Sequence, residues 1–267
     1  MSQFGRGIGV RFPLLARGAI MTDRYFIEAP IIGDCARLIG TEAHHLAHVM
    51  RGKQGDEIVL FDGGGSECIA RVERIGRAEI ELAVLSRQQI DRELRPAVTL
   101  GVALPKADRA RWLVEKSVEL GVSQLVPLAS EHSMDRLTPS ALGRLRRAVI
   151  EASKQCGRNR LMEIFEPAQL ADYLTATPPG TARLFAHPEA ASCASVLPAL
   201  LGQKTADQPV LLAVGPEGGF SPAEVQLAQS AGWQLLSFGP RILRVETAAL
   251  ALVAAVAMRW QPNSAGE

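Results

Sequence analysis

An unbroken apolar run, Val210-Leu211-Leu212-Ala213-Val214, gives way to Gly215-Pro216-Glu217-Gly218-Gly219-Phe220 and then to Ser221-Pro222-Ala223-Glu224. Because no polar residue alternates through the run, it suits a strand buried on both faces. The last four residues are a complete helix start. Ser221 serves as N-cap, Pro222 sits at the first helical position, and Glu224 closes a capping box three residues on. A second glycine-bearing loop, Phe238-Gly239-Pro240-Arg241-Ile242-Leu243-Arg244-Val245-Glu246-Thr247, lies between a short strand (Leu235 to Phe238) and a last apolar helix. Loops at the carboxyl ends of strands are the usual ligand site of an α/β sheet, so the chemistry is expected here.

Neither loop carries the GxxxxGK[ST] phosphate loop or a GxGxxG dinucleotide fingerprint. The glycines by themselves require only close backbone approach or a turn with positive φ, and a plain strand-to-helix turn would satisfy that as well.

The 267 residues allow two domains or one large one, and 47% hydrophobic with 21% charged residues describes an ordinary globular chain. A net charge of +1 neither announces nor excludes a nucleic-acid partner, because a basic patch can be local. Cys35, Cys68, Cys156 and Cys193 show no CxxC spacing, which fits a reducing cytoplasm and no zinc site. The longest apolar run, Ala248 to Met258, is well short of the ~20 residues of a membrane span.

In chain order, residues 1–20 hold Arg6, Arg11 and Arg17 and no acid; they are expected to be a dispensable extension or disordered tail. From Tyr25 to about Leu85, short alternating segments such as Ala78 to Val84 predict a small antiparallel barrel. Within it, Thr41 to Arg51 reads as a helix carrying His44, His45 and His48. The one-turn spacing of His44 and His48 matches a metal pair, but no third ligand type supports it, and a solvated or RNA-facing helix is the better reading. Ser86 to Pro96 is the expected linker. Val98 to Leu104, Asp108 to Leu120 and Gln124 to Ala129 then read strand, helix, strand, which implies a parallel sheet. A helix from Pro139 to Gly157 buries Leu142, Leu145, Val149, Ala152 and Cys156, while its other faces carry Arg144, Arg146, Arg147 and Lys154. One-sided arginine ending in Gly157-Arg158-Asn159-Arg160 suits either phosphate contact or a solvated face. Leu184 to Ala186 is a short strand running into His187-Pro188-Glu189, with a linker from there to Pro209.

Several of these stretches, in this order, resemble one family. They are Leu104-Pro105-Lys106, Glu115-Lys116-Ser117-Val118-Glu119-Leu120-Gly121, Gln155-Cys156-Gly157-Arg158-Asn159-Arg160, His187-Pro188, the two glycine loops, and His45 with Val49-Met50-Arg51. From about residue 21 onward the chain is similar to the SPOUT RNA methyltransferases, most closely the bacterial 16S rRNA (uracil-N3)-methyltransferase family, RsmE. Lys154 departs from the acid usual at its position. The resemblance implies an α/β protein: a PUA-like RNA-binding barrel (21–90) and a SPOUT methyltransferase domain (91–262) with a parallel sheet and trefoil knot, acting as a homodimer on 16S rRNA in the small ribosomal subunit, in the cytoplasm.

S-adenosyl-L-methionine is the implied cofactor, bound by His187, Pro188, Val214, Gly215, Pro216, Glu217, Gly218, Gly219, Phe238, Gly239, Ile242, Leu243 and Thr247. Arg244 is the implied stabiliser of the uracil anion, expected partly buried with the target base as its partner, or else pinning the loop by pairing with a carboxylate such as Glu246. Arg158 is a second candidate, reaching across the dimer, and Glu246 or Glu217 relays a proton or holds a loop. Implied RNA contacts are Arg24, His45 and Arg51 in the barrel, then Arg144, Arg147, Lys154, Arg158, Asn159 and Arg160. The rival readings are a SPOUT enzyme for another rRNA or tRNA position, and a non-catalytic RNA-binding assembly factor.

Overall fold

The computed structural model describes residues 23–133, 137–176, 180–201 and 208–258. The extension expected over residues 1–20 lies outside the described residues.

The chain opens with β1 (Arg24–Phe26), β2 (Cys35–Ile39) and α1 (Gly40–His44), continues through a π-helical turn over His45–Val49, and adds β3 (Glu57–Phe61), β4 (Ser66–Ile75) and β5 (Glu79–Gln89). These strands form a mixed sheet in the order β1-β3-β4-β5-β2, in which only the β1–β3 pairing is parallel. Tyr25, Leu38, Leu46, Leu60, Val72 and Ile80 meet in a core of its own. The expected helix over Thr41 to Arg51 is thus half π-helix, with Met50 N–H donating to the His45 carbonyl at 3.0 Å. The expected linker is also shorter. Ser86 to Gln89 extend β5 because the long β4 supplies partner backbone from Ser66 to Ile69, and ladder hydrogen bonds do not require apolar side chains.

The second unit runs β6 (Val98–Val102), α2 (Ala107–Glu119), β7 (Gln124–Ala129), α3 (Pro139–Cys156), β8 (Glu163–Ile164), β9 (Ala168–Gln169), α4 (Leu170–Thr175), β10 (Ala182–Ala186), α5 (Cys193–Leu201), β11 (Val210–Val214), α6 (Pro222–Ser230), β12 (Gln234–Leu236) and α7 (Val245–Ala257). All its pairings are parallel, in the order β12-β10-β11-β6-β7-β8, with β9 joined to the end of β7. Val210, Leu212 and Val214 enter the core shared with α2, α3, α5 and α7, while Ala213 enters the opposite core with Leu174 of α4, Ala228 of α6 and Trp233. This two-sided burial is why β11 is apolar throughout. The expected caps are in place. Ser221 Oγ accepts from Glu224 N–H, Glu224 accepts from Ser221 N–H, and α3 ends on Gly157 at φ 81°. The segment expected as linker after Glu189 holds α5. Pro198 inside that helix hides it from a pattern search, and two-residue strands such as β8 and β9 carry no period to find.

Candidate active site and nucleic-acid interface

Because every strand of the second sheet points the same way, the loops after β10, β11 and β12 leave one edge side by side. The path reverses here. β10 leads by way of α5 to β11 on one side, and β11 leads by way of α6 back past β10 to β12 on the other. Such a reversal opens a crevice at the carboxyl ends of the strands. His187 and Pro188, Val214 to Gly219, and Phe238 to Thr247, the loops expected to hold the cofactor, therefore leave the same edge side by side.

The backbone there needs glycine at two positions in particular. Gly219 and Gly239 sit at φ 72° and 92°, in the left-handed region. Gly218 does not; a Cβ there would lie 3.1 Å from His132 Cβ instead. His132, missed in the sequence, follows β7, and its Nδ1 lies 3.1 Å from the Gly219 carbonyl. The neighbouring Glu131 N–H donates to Glu224 at 2.8 Å, so the capping box of α6 also holds this loop. His187 N–H donates to the Leu236 carbonyl at 2.9 Å, and Phe238 and Leu243 are half-buried. Pro188 and Thr247 are exposed, and Ile242 is 92% exposed.

The two glycine loops are joined by a residue that sequence reasoning also missed. Arg109, in the first turn of α2, places Nη1 3.1 Å from Glu217 Oε1 and 3.7 Å from Glu246 Oε2. Glu246 is buried, and its Oε2 has no hydrogen bond among the described residues. A buried carboxylate is costly without a cation, so Arg109 fixes the carboxylates of both loops at one point. The available signal was Leu104-Pro105-Lys106 ahead of α2, which marks the segment without singling out Arg109. Arg244 is exposed rather than partly buried, and no ion pair or hydrogen bond ties its guanidinium to a described residue. It is the N-cap residue of α7, beside the positive end of that helix.

The candidate RNA contacts divide sharply. Arg24 donates to Glu67 at 2.8 Å and to Asn159 Oδ1 at 2.6 Å, joining the barrel to the segment after α3. Arg92 reaches the same Glu67 and the Gly157 carbonyl. Burial pushes the Glu67 carboxyl up, but hydrogen bonds and charge from Arg24 and Arg92 outweigh this and hold it below its ordinary range. Lys154 pairs with Glu42 of α1 at 2.9 Å, so the cation that departs from the family's usual acid is matched by a barrel carboxylate. Arg158 is buried, bonded through both Nε and Nη2 to Glu93 and through Nη1 to the Val118 and Val122 carbonyls. Arg160 lies across the Gly63–Gly65 turn with its backbone bridged to Gly64, though it remains exposed. His45 packs against Tyr25 with ring centroids 6.0 Å apart. Thus Arg24, Lys154 and Asn159 are engaged between the barrel and the second unit, and Arg158 within the second unit, whereas Arg51, Arg144, Arg147 and Arg160 are exposed. Among the described residues no three metal-ligating side chains gather.

A parallel sheet whose strand order reverses beside three adjacent loops is thus joined to a small mixed-sheet unit with a core of its own. The family model for the RNA methyltransferase domain matches residues 92–257, and that for the RNA methyltransferase PUA domain matches 38–85. The chain belongs to this family, and within it to the ribosomal RNA small subunit methyltransferase E proteins. It is 30% identical to that enzyme of Synechocystis over 88% of this chain and 75% of the relative, and 27% identical to that of Bacillus subtilis over 89% and 97%. Among solved structures, the Neisseria gonorrhoeae ribosomal RNA small subunit methyltransferase E bound to S-adenosyl methionine superposes with a TM-score of 0.81 at 30% identity, covering 90% of this chain and 98% of that one.

Proposed function

We propose that this protein transfers a methyl group from S-adenosyl-L-methionine to N3 of a uridine in 16S rRNA of the small ribosomal subunit. The observation that carries the reading is the convergence of three loops at the carboxyl ends of β10, β11 and β12, the same loops in which the family resemblance resides. The residues fit the cofactor. Left-handed glycines leave backbone groups unobstructed, and a buried Glu246 oxygen without a hydrogen bond faces this region. S-adenosylmethionine, when bound, supplies the methyl group from its sulfonium.

The chain's own residues do the rest. Loop amides and carbonyls hold the cofactor by close approach. Uracil N3 is a poor nucleophile until deprotonated, and its anion spreads onto two carbonyl oxygens. Arg244, whose side chain has no partner among the described residues and which lies next to a helix N-terminus, is assigned to stabilise that charge. Glu217 and Glu246 are assigned to hold the loops, since both face Arg109. Phosphate contacts fall to Arg51, Arg144, Arg147 and Arg160, and the barrel (21–90) is taken as the RNA-binding part beside the SPOUT part (91–262). A trefoil knot fits the return of the chain past β10. A homodimer is supported by exposed Trp112, Ile242 and Met258, and Arg158 would be presented to a partner only if its pairing with Glu93 opened. A cytoplasmic location accords with an rRNA substrate.

Calorimetric titration with S-adenosylmethionine, followed by mass spectrometry of 16S rRNA from a deletion strain, tests the reading. Saturable heat and loss of one N3-methyluridine are expected. No heat would leave a non-catalytic assembly factor, and loss of a different modified nucleotide would move the target.

A further inference from the structure

We propose that the barrel carries a binding groove for an unpaired RNA nucleotide, between α1 with its π-helical turn and the β4–β5 hairpin. The inference rests on the reading of the chain as an RNA methyltransferase and names the form of RNA that the barrel takes. The groove has a volume of about 400 Å³. Gly40, Ala43, Ala47, Gly76 and Ala78 line it with small residues, while His44, His48 and Arg77 supply its polar lining.

Three features single it out. His44 and His48 present their rings side by side, centroids 4.7 Å apart, and both are exposed. Exposed imidazoles beside small alanine and glycine lining residues, their planes tilted by 44°, offer a stacking surface to a base released from a helix. Apolar exposure also concentrates here. Ile39, Val49, Met50 and Ile75 are all exposed and flank the lining residues in sequence, an arrangement that a merely solvated helix and turn does not need.

The charge is one-sided as well. No carboxylate lines the groove, and the nearest acids in sequence are engaged elsewhere: Glu42 with Lys154, Glu79 with Arg37, Glu81 with Arg74. Arg77, at the hairpin tip, is exposed and has no ion pair with a described residue, so its charge is available to a phosphate. A duplex would need a longer basic track than one arginine. A single splayed nucleotide needs what is present, a stacking surface and one cation.

The test measures binding of a fluorescein-labelled oligouridine of about 12 nucleotides, and of an RNA duplex of similar length, by anisotropy. The full-length protein is compared with His44→Ala/His48→Ala, His44→Phe/His48→Phe and Arg77→Gln, with S-adenosylmethionine titrated into each. The alanine pair should lose about tenfold in affinity for the oligouridine, as loss of one stacked base implies, with duplex binding and cofactor heat unchanged. The phenylalanine pair should retain most of the affinity, because it keeps the rings. Arg77→Gln should make the salt dependence shallower by about one phosphate contact. Oligouridine binding unchanged in the alanine pair, or an equal loss for duplex, overturns the groove while normal cofactor heat leaves the enzymatic reading standing. Intact oligonucleotide binding with poor methylation of assembled subunits also overturns it, by pointing to a protein occupant. If the unaltered protein shows neither cofactor heat nor RNA binding, the enzymatic reading falls and the groove falls with it.

Discussion

The crevice end of the parallel sheet and the junction between barrel and catalytic unit are both rich in arginine, yet they use it in opposite ways. At the junction three cations are engaged, Arg24 and Arg92 on Glu67 and Lys154 on Glu42, and just behind them Arg158 is held inside the catalytic unit by Glu93 and two carbonyls. At the crevice one cation, Arg109, spans two carboxylates, and Arg244 is left exposed. A satisfied guanidinium stabilises a structure, and an unsatisfied one is available to a ligand. The contrast assigns holding to the junction and chemistry to the crevice.

The largest effect expected from this contrast is on Arg244→Ala. An interaction that strengthens as the base loses its proton acts on the transition state, so the single-turnover rate of methyl transfer should fall by roughly two to three orders of magnitude. Because the Arg244 side chain has no partner among the described residues, thermal stability and cofactor affinity should hardly move. Arg109→Ala is the counterpart: it leaves Glu246 buried without its cation, so cofactor affinity and melting temperature should fall together. If Arg244→Ala behaves like Arg109→Ala, the assignment of roles to the two arginines is wrong.

Next comes Arg158→Ala, inside the catalytic unit beside the junction. Removing one member of a buried pair typically costs about 3–5 kcal/mol, because the other is left uncompensated. For a chain of this size that is a melting-temperature loss on the order of 10 °C. Cofactor heat per folded molecule should persist. A lost methylation rate with unchanged stability would instead return Arg158 to the reaction. The neighbouring Glu67 adds a pH signature. Its pKa lies below the ordinary carboxylate value, so its contribution is present above the unfolded pKa of about 4.3 and is lost as pH falls through the lower, folded value. Arg24→Ala should flatten that acid limb of a stability–pH profile.

Much of the crevice was legible because local rules wrote it: an apolar strand, a capping box at Ser221 and Glu224, glycines where φ turns positive. The sheet order that brings the loop after β10 beside the others was not, since pairing between distant strands leaves no local pattern. Arg109 and His132 were missed for the same reason; their partners lie across the fold, on loops whose proximity only the sheet creates. Arg158 shows the converse. Gly157-Arg158-Asn159-Arg160 looks like a phosphate-binding run, and no sequence rule says that Glu93 and the Val118 and Val122 carbonyls occupy its first arginine.

A smaller, purely local effect is expected of Gly239→Val. A β-branched residue resists φ 92°, so the loop after β12 must shift and cofactor affinity should fall by about tenfold or more. Oligonucleotide binding by the barrel should not change. The same substitution at Gly218 should cost less, because its backbone lies outside the left-handed region and only the contact with His132 must give. Equal losses at the two positions would mean that close approach to the ligand, rather than backbone conformation, sets the requirement.

The smallest effect tests the comparison from its other side, on the α3 face that the junction leaves uncovered. Arg144, Arg147, Glu151 and Lys154 follow one another at helical spacing, so they share a face. Lys154 is taken by Glu42, while Arg144 and Arg147 stay exposed and form no ion pair with a described residue. If that face continues the RNA track, Arg144→Gln/Arg147→Gln should weaken binding to rRNA several-fold and lower the slope of log affinity against log salt by about two, one for each lost phosphate contact. Stability should stay put, since exposed charges without partners contribute little to it. Lys154→Gln should do the reverse. It removes the partner of Glu42 at the junction, so it should lower the melting temperature and leave the salt slope alone. A salt slope that responds to Lys154 and ignores Arg144 and Arg147 would show that the junction opens to RNA and that the exposed face is only solvated.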